Sequence, residues 1–135
     1  MHELLPYVNI FLPNIEELKN LTAQSSIEKA ITSIQKLSLT IVVKNGNTGA
    51  MLRNHQEVLD QPSFLNTDVI DAIGAGDTFN AGFIHPFLRD QPPAVCLEFG
   101  ALCGAINTTA SGGTTAFADL DTGRRIARLK FNFLL

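Results

Sequence analysis

The sequence predicts an α/β fold in which helices cover both faces of a sheet, giving three layers, α/β/α. Short β-branched apolar runs alternate along the chain with longer segments whose apolar residues recur every three or four positions. Loops rich in Gly, Pro, Asn and Asp follow several of the apolar runs. Ligands of such folds gather where the strands end, so we expect functional residues in those loops.

The first elements are a strand and two helices. The apolar run 7–12, which ends at Pro-Asn, predicts a buried strand, and 15–21 predicts a short helix. Ser25 or Ser26 can cap a second helix at 27–37. Its apolar residues form one stripe that is expected to pack on the sheet: Ile27, Ala30, Ile31, Ile34 and Leu37.

The middle of the chain predicts four strands. The β-branched run 39–43 is typical of a central strand, and the turn-rich segment 45–49 leads from it into a strand at 50–53. After a polar hairpin tip, 57–59 predicts a third short strand, and 68–70 predicts a final extended piece.

Helices dominate the remainder. One starts at Gly76 or Asp77 and runs to about Arg89, and Pro92-Pro93 opens another that reaches about Thr108. Small residues on the second helix indicate either close helix packing or room for a flat ligand: Ala101, Cys103, Gly104 and Ala105. The tail predicts a basic amphipathic segment with a solvated charged face: Arg124, Arg125, Arg128 and Lys130.

Length and composition exclude several classes of protein. The 135 residues, 45% hydrophobic and 17% charged, predict a single globular domain over 1–135. A net charge of -3 argues against a nucleic-acid partner or an anionic lipid surface. No apolar run approaches the roughly 18 residues of a membrane span, so we expect no membrane contact and a cytoplasmic location. Cys96 and Cys103 are expected to stay reduced.

The segment 69–83 carries the strongest chemical signal. Gly74 and Gly76 allow backbone conformations in which the amides at the start of a helix converge on an anion. Asp77 adds a carboxylate within reach of a hydroxyl that must lose its proton while it attacks phosphorus. The alternative is an ordinary turn with a helix cap. Phe79 stands where a dinucleotide-binding fingerprint needs its third glycine, and no Gly-Lys-Ser/Thr follows as in a Walker loop.

From Asp71 to Gly82 the run resembles the signature Asp-Thr-x-Gly-Ala-Gly-Asp-x-Phe-x-x-Gly of the ribokinase-like (PfkB) family of carbohydrate kinases. The resemblance implies a ribokinase-like, Rossmann-like sheet and phosphoryl transfer from ATP to the hydroxyl of a sugar or sugar-like molecule. In that reaction Asp77 would act as base. The amides of the loop Gly74, Ala75, Gly76 would stabilise the transferring phosphoryl group.

Two other segments are similar to the same family. The run 13–17 is similar to its Pro-Asn-x-x-Glu motif, which implies that Asn14 and Glu17 hold Mg²⁺, partly through water. The alternative is a helix N-terminus with acidic first-turn residues. The strand and turn 43–49 imply nucleotide contacts at Lys44 and Gly46, although a lysine at a strand end usually faces solvent.

The helix and loop 93–113 resemble the segment that flanks the adenine and closes a monovalent-cation site. This implies nucleotide contacts at Ala101 and Gly104. It also implies a K⁺ site built from the Asp71 carboxylate and backbone carbonyls, and the matching positions are Asp71, Ile73, Asn107, Ala110 and Gly112. Ala72, Ile73 and Ala110 differ from the residues usual in the family, and Ile73 and Ala110 would contribute backbone carbonyls. Asp71 can also simply cap its own loop.

The resemblance covers about 7–117 and matches only the C-terminal half of such kinases. We therefore expect an incomplete sheet without the N-terminal half and its lid, and a polypeptide that is poorly active or inactive alone. A nucleotide-binding or regulatory module derived from the kinase is the alternative. A third interpretation is a structural half-domain whose exposed sheet needs a homo-oligomer or a partner chain to cover it.

Overall fold

The computed structural model describes residues 3–36 and 40–135. Within it the chain divides into two compact units, Met1–Asp60 and Gln61–Leu135. The expected single domain over 1–135 stays a prediction. Leu37, in the predicted helix stripe, and Leu39, at the predicted start of a strand, lie outside the described residues.

The first unit holds a four-stranded mixed sheet and two helices. Its strands follow the order β1-β2-β3-β4, with β1 parallel and β3 antiparallel to β2. The elements are β1 Ile10–Phe11, α1 Ile15–Thr22, α2 Ile27–Gln35, β2 Thr40–Lys44, β3 Ala50–Asn54 and β4 Val58–Gln61. The predicted strand 7–12 is wrong at its start, because Leu5–Tyr7 form a 3₁₀ turn with Pro6 in its first positions.

The core of this unit lies between its helices and the sheet. Both helices contribute apolar residues to a cluster that includes Ile41 and Val43 of β2, and its other buried members are Leu5, Leu18, Ala30, Ile31 and Ile34. Val42, which points to the other side of the strand, is also inaccessible to solvent. The described part of the predicted helix stripe is therefore confirmed, and Ser26 is the residue that caps α2.

The second unit is helical. Its elements are α3 Ala75–Phe87, α4 Pro93–Asn107, a 3₁₀ turn Thr115–Phe117 and α5 Leu120–Phe131. The predicted strand at 68–70 is wrong, because the Ile70 amide donates to the Thr108 carbonyl and the segment pairs with no strand of the described chain. The predicted basic segment is α5, which begins at an Asp119 cap.

Close contact between α3 and α4 organises this unit. A Cβ atom at Gly82 would lie 2.7 Å from Cys103 Sγ and 3.0 Å from the Phe99 carbonyl oxygen. A Cβ at Gly104 would lie 3.3 Å from the Ala75 carbonyl oxygen. The small residues of α4 thus serve helix packing. Burial against α3 raises the pKa of Cys103 to about 11, which fits the expected reduced thiol.

The chain end packs on α4 through a second apolar cluster. Leu102 and Ile106 of α4 share it with Ala127 of α5. Phe64 packs edge to face against Phe131 and Phe133, at centroid distances of 6.2 and 5.8 Å. The segment after α4 therefore belongs to the same core as α4.

None of the helices in 3–36 and 40–135 combines the length and the apolar character that a bilayer crossing requires.

Replacing Gly82 by alanine tests the α3 and α4 contact. We expect Gly82→Ala to lower the free energy of unfolding by about 1–3 kcal/mol, because the new methyl group overlaps Cys103 and the Phe99 carbonyl. Gly123→Ala is the matched control, since its Cβ would meet only Phe117 Cδ1 at 3.7 Å and alanine suits a helix interior. Urea unfolding measures both. Equal stability of the two variants would contradict the close contact.

Candidate active site

The loop before α3 has a backbone that only glycine fits. Gly74 precedes the helix with φ 76° and ψ -1°, in the left-handed region. A Cβ atom there would lie 3.0 Å from Gly113 Cα and 3.2 Å from the Gly113 carbonyl oxygen. Gly112 and Gly113 also have positive φ, of 86° and 70°. Three glycines thus let two loops meet backbone to backbone.

This loop leaves two amides at the start of α3 without partners. The first helical hydrogen bond runs from the Thr78 amide to the Gly74 carbonyl at 2.9 Å. Within the described chain, the amides of Gly76 and Asp77 donate no hydrogen bond. Gly76 is the second helical residue and has no positive φ, so the bend expected at Gly76 occurs at Gly74 alone. Exposed amides at a helix start suit an anion.

Asp77 lies in the first turn of α3, and its side chain is exposed. Its carboxylate therefore belongs to the same helix turn as the unpartnered amides, as the sequence predicts. Ala75 begins the helix, and its amide donates to the Ala72 carbonyl at 3.2 Å. The prediction that the Ala75 amide contributes to the anion site is therefore not supported, because this amide already has a partner.

Asp71 ties this loop to the segment after α4. Its Oδ1 accepts from the Ile73 amide at 2.9 Å, and its Oδ2 accepts from the Gly112 amide at 3.0 Å. Ser111 Oγ lies 3.5 Å from the same Oδ2. These backbone hydrogen bonds, Ile73 first and Gly112 next, lower the pKa of Asp71. The alternative in which Asp71 caps its own loop is thus observed.

Asn107 adds a contact that the sequence did not reveal. Its Nδ2 donates to the Ile73 carbonyl at 2.7 Å, although the sequence predicted a role only for its backbone carbonyl. Asn107 is 1% exposed, and its Oδ1 has no partner among the described residues. A polar residue in the last turn of a largely apolar helix was the signal that the sequence offered.

Three of the four carbonyls that the family resemblance assigns to a cation already accept hydrogen bonds. Ile73 accepts from Asn107, Asn107 from the Ala110 amide at 3.5 Å, and Gly112 from the Thr114 amide at 2.7 Å. Each carbonyl oxygen keeps a second lone pair. Together with the Asp71 carboxylate and the unpartnered Asn107 Oδ1, these oxygen donors are of the type that a hard cation takes.

In the first unit, Asn14 and Glu17 form a capping box at the start of α1. The Glu17 amide donates to Asn14 Oδ1 at 2.8 Å, and the Asn14 amide donates to Glu17 Oε2 at 2.9 Å. The helix-terminus alternative is therefore observed. Both side chains remain exposed. No cluster of three or more His, Cys, Asp or Glu with metal-binding geometry occurs in 3–36 or 40–135, so a metal at Asn14 and Glu17 needs water or phosphate as further ligands.

Lys44 is the last residue of β2, next to Asn14, and Gly46 begins the turn that follows the strand. The Lys44 amide donates to the Pro13 carbonyl at 2.9 Å, and an isolated parallel bridge joins Lys44 to Asn14. Gly46 has φ 50°, and a Cβ atom there would meet nothing within 4 Å. The space above Gly46 is open enough for a ligand. Asn45 has φ -123°, so glycine rather than Asn45 supplies the positive φ of this turn.

Ala101 and Gly104, predicted to contact the nucleotide, lie in the packed part of α4. Ala101 is 9% exposed, and Gly104 lies against α3. Their observed role is packing, and their nucleotide contact stays a prediction.

The lowered pKa of Asp71 predicts a pH-dependent contribution to stability. Because the folded-state pKa lies below the ordinary carboxyl value of about 4, the contribution is complete above that pH and disappears as the pH falls through the folded-state pKa. The unfolding free energies of the wild type and Asp71→Asn should therefore differ most near pH 7 and converge in acid. Asp90→Asn corrects for the loss of one charge. A difference that stays constant from about pH 7 to pH 3 would contradict this role.

Comparison with known proteins gives consistent matches. Over 73 residues, 54% of this chain and 23% of the relative, the chain is 38% identical to a 2-dehydro-3-deoxygalactonokinase from Haloferax volcanii. It is 30% identical to a ribokinase from Arabidopsis thaliana over 125 residues, 87% of this chain and 33% of the relative. The chain thus spans a third or less of the length of these curated relatives.

Solved structures show the same fold. The ribokinase of Thermotoga maritima superposes with a TM-score of 0.83 over 95% of this chain and 45% of that protein, at 24% identity. Arabidopsis thaliana ribokinase, complexed with ribose and ATP, gives 0.83 over 93% of this chain and 43% of that protein, at 27% identity. The described chain is therefore an incomplete α/β ribokinase-like fold. Residues 1–119 match the profile of the pfkB family carbohydrate kinases, and the chain belongs to that family.

Proposed function

We propose that this chain is the nucleotide-binding part of an ATP-dependent sugar kinase, which transfers the γ-phosphoryl group to a hydroxyl of a sugar or sugar-like molecule. One observation carries the proposal: the unpartnered amides of Gly76 and Asp77 share a helix turn with the Asp77 carboxylate. Phosphoryl transfer needs both an anion site and a proton acceptor. The family match supports this assignment over a generic anion site.

In the proposed reaction Asp77 takes the proton of the attacking hydroxyl. The Gly76 and Asp77 amides, together with the helix dipole, stabilise negative charge on the transferring phosphoryl oxygens. Gly74 fixes the direction of these amides, because its left-handed backbone sets where α3 begins. Each role uses a group that the structure leaves accessible.

The proposal assigns ATP and Mg²⁺ as cofactors. Lys44 would contribute a cation to the nucleotide phosphates, and the open backbone at Gly46 would approach the nucleotide. Asn14 and Glu17 are the residues that would hold Mg²⁺ through water, and the ion when bound neutralises phosphate charge. A putative ribokinase II from E. coli has been solved in complex with ATP and Mg²⁺, which supports this part of the proposal.

A monovalent cation, K⁺ in the family resemblance, forms a further part of the proposal. Asp71 and the carbonyls of Ile73, Asn107, Ala110 and Gly112 would hold it, and the unpartnered Asn107 Oδ1 supports a cation or water in this region. When bound, the cation would add positive charge beside the loop that leads to Gly74. A cytoplasmic location, where Cys96 and Cys103 stay reduced, completes the proposal.

The short span of the match limits what this chain does alone. The chain covers 45% or less of the solved relatives described above. We propose that the missing part supplies the sugar site, and that the 135-residue chain by itself binds nucleotide but turns over slowly or not at all.

Titration with Mg·ATP tests the anion site. We expect saturable binding to the 135-residue chain and at least a tenfold weaker affinity in Gly76→Val, because the valine side chain covers the exposed amides. Helical φ at Gly76 accepts valine, so the fold should persist. Gly123→Ala serves as the control variant, measured by the same calorimetry. Absence of binding in the wild type would refute the proposal.

Replacement of Asp77 tests the base. In a polypeptide that also carries the part of the kinase absent here, Asp77→Asn should lower kcat by about 10²–10⁴ and leave the Kd for ATP unchanged. Asp90→Asn is the matched control, since the same chemical change then falls just beyond the other end of α3. Turnover near the wild-type rate in Asp77→Asn would remove Asp77 as the base.

A further inference from the structure

Asn107 is a buried polar side chain that is paired at only one end. It is 1% exposed, and Nδ2 donates to the Ile73 carbonyl at 2.7 Å across 34 residues of sequence. Its Oδ1 has no partner among the residues described. The opposite assignment of the amide would turn its oxygen toward the Ile73 carbonyl oxygen, which is repulsive. The donor end of the amide therefore faces Ile73.

Packing alone does not explain an asparagine at this position. A buried acceptor without a partner costs stability, and an apolar side chain of similar size would avoid that cost at a position that is almost inaccessible to solvent. Thr109, two residues further on, shows the usual arrangement. It is also buried, and its Oγ1 donates to the Ile106 carbonyl within its own turn.

The contact that Asn107 makes lies directly before the candidate anion site. Ile73 immediately precedes Gly74, whose carbonyl accepts the first hydrogen bonds of α3, from the Thr78 amide and from Thr78 Oγ1. The Ile73 amide is held by Asp71 and its carbonyl by Asn107. Both backbone polar groups of Ile73 are therefore held by hydrogen bonds, and the bond to its carbonyl comes from a side chain of α4.

We propose that Asn107 is a positioning residue, which holds the Ile73 carbonyl and thereby aims the Gly76 and Asp77 amides at the phosphate of a bound nucleotide. This inference rests on the proposed function. The Nδ2 hydrogen bond to the Ile73 carbonyl gives the buried amide this ordering role. Its Oδ1 stays available to the cation or water of the proposed function. Asn107 acts through the loop and has no contact with substrate in this assignment.

The test compares Asn107→Leu with the control Thr109→Val in the 135-residue chain. We expect Asn107→Leu to bind Mg·ATP roughly tenfold or more weakly, to bind adenosine with unchanged affinity, and to unfold at the same or a higher temperature. Thr109→Val should leave Mg·ATP affinity unchanged. Equal Mg·ATP affinity in wild type and Asn107→Leu would overturn the inference, and so would equal losses for ATP and adenosine.

Hydrogen exchange measured by NMR tests positioning without nucleotide, in a potassium-free buffer so that a lost cation cannot explain the result. The Ala75 and Thr78 amides, both hydrogen-bonded at the start of α3, should exchange about tenfold faster in Asn107→Leu and at the wild-type rate in Thr109→Val. Unchanged exchange in Asn107→Leu would overturn the inference. If the wild type binds no Mg·ATP, the proposed function fails, while these exchange rates still decide whether Asn107 orders the loop.

Discussion

The contact between the loops at Gly74 and Gly113 is the constraint on which the candidate site depends. With 3.0 Å between an imagined Gly74 Cβ and Gly113 Cα, no other residue type fits at position 74 without moving the second loop. The contact fixes the residue before α3, and the direction of the first amides follows from it. The hydrogen bonds of Asp71 and Asn107 join the same two segments, so the site is held by backbone geometry and polar contacts together.

In the first unit, Asn14 and Glu17 combine an observed structural role with the role toward Mg²⁺ that we propose for them. Asn14 and Glu17 cap α1, which accounts fully for their presence at a helix start. Asn14 Oδ1 and Glu17 Oε2 each accept a backbone amide, and both residues remain exposed near the end of β2, where Lys44 bridges to Asn14. A capped helix start is thus compatible with a role toward hydrated Mg²⁺, because outer ligands need only be ordered and accessible.

Local patterns predicted most elements, whereas contacts between distant segments decided the rest. The Ser26 cap, the Pro93 start of α4 and the strand at β2 follow from signals within a few residues. The extended piece at 68–70 is not a strand, because Ile70 pairs with Thr108 across 38 residues. The site divides in the same way. The motif predicted a carboxylate in the first turn of α3 and a bend at Gly74. The hydrogen bond of the Asn107 side chain was not predicted, because it forms only where the end of α4 lies beside Ile73.

The candidate base, Asp77, is exposed to water in the described chain. Asp77 faces water, and apolar residues of the segment that leads to it are uncovered in the described chain, with Val69 52%, Ile70 58% and Ile73 70% exposed. Water around a carboxylate competes with a substrate hydroxyl and screens the amides that would stabilise phosphoryl charge. Contiguous apolar side chains beside a polar site are typical of a surface that another part of a protein covers. In the proposed reaction, the part of the kinase that these 135 residues do not cover would therefore exclude water from Asp77 as well as bind the sugar.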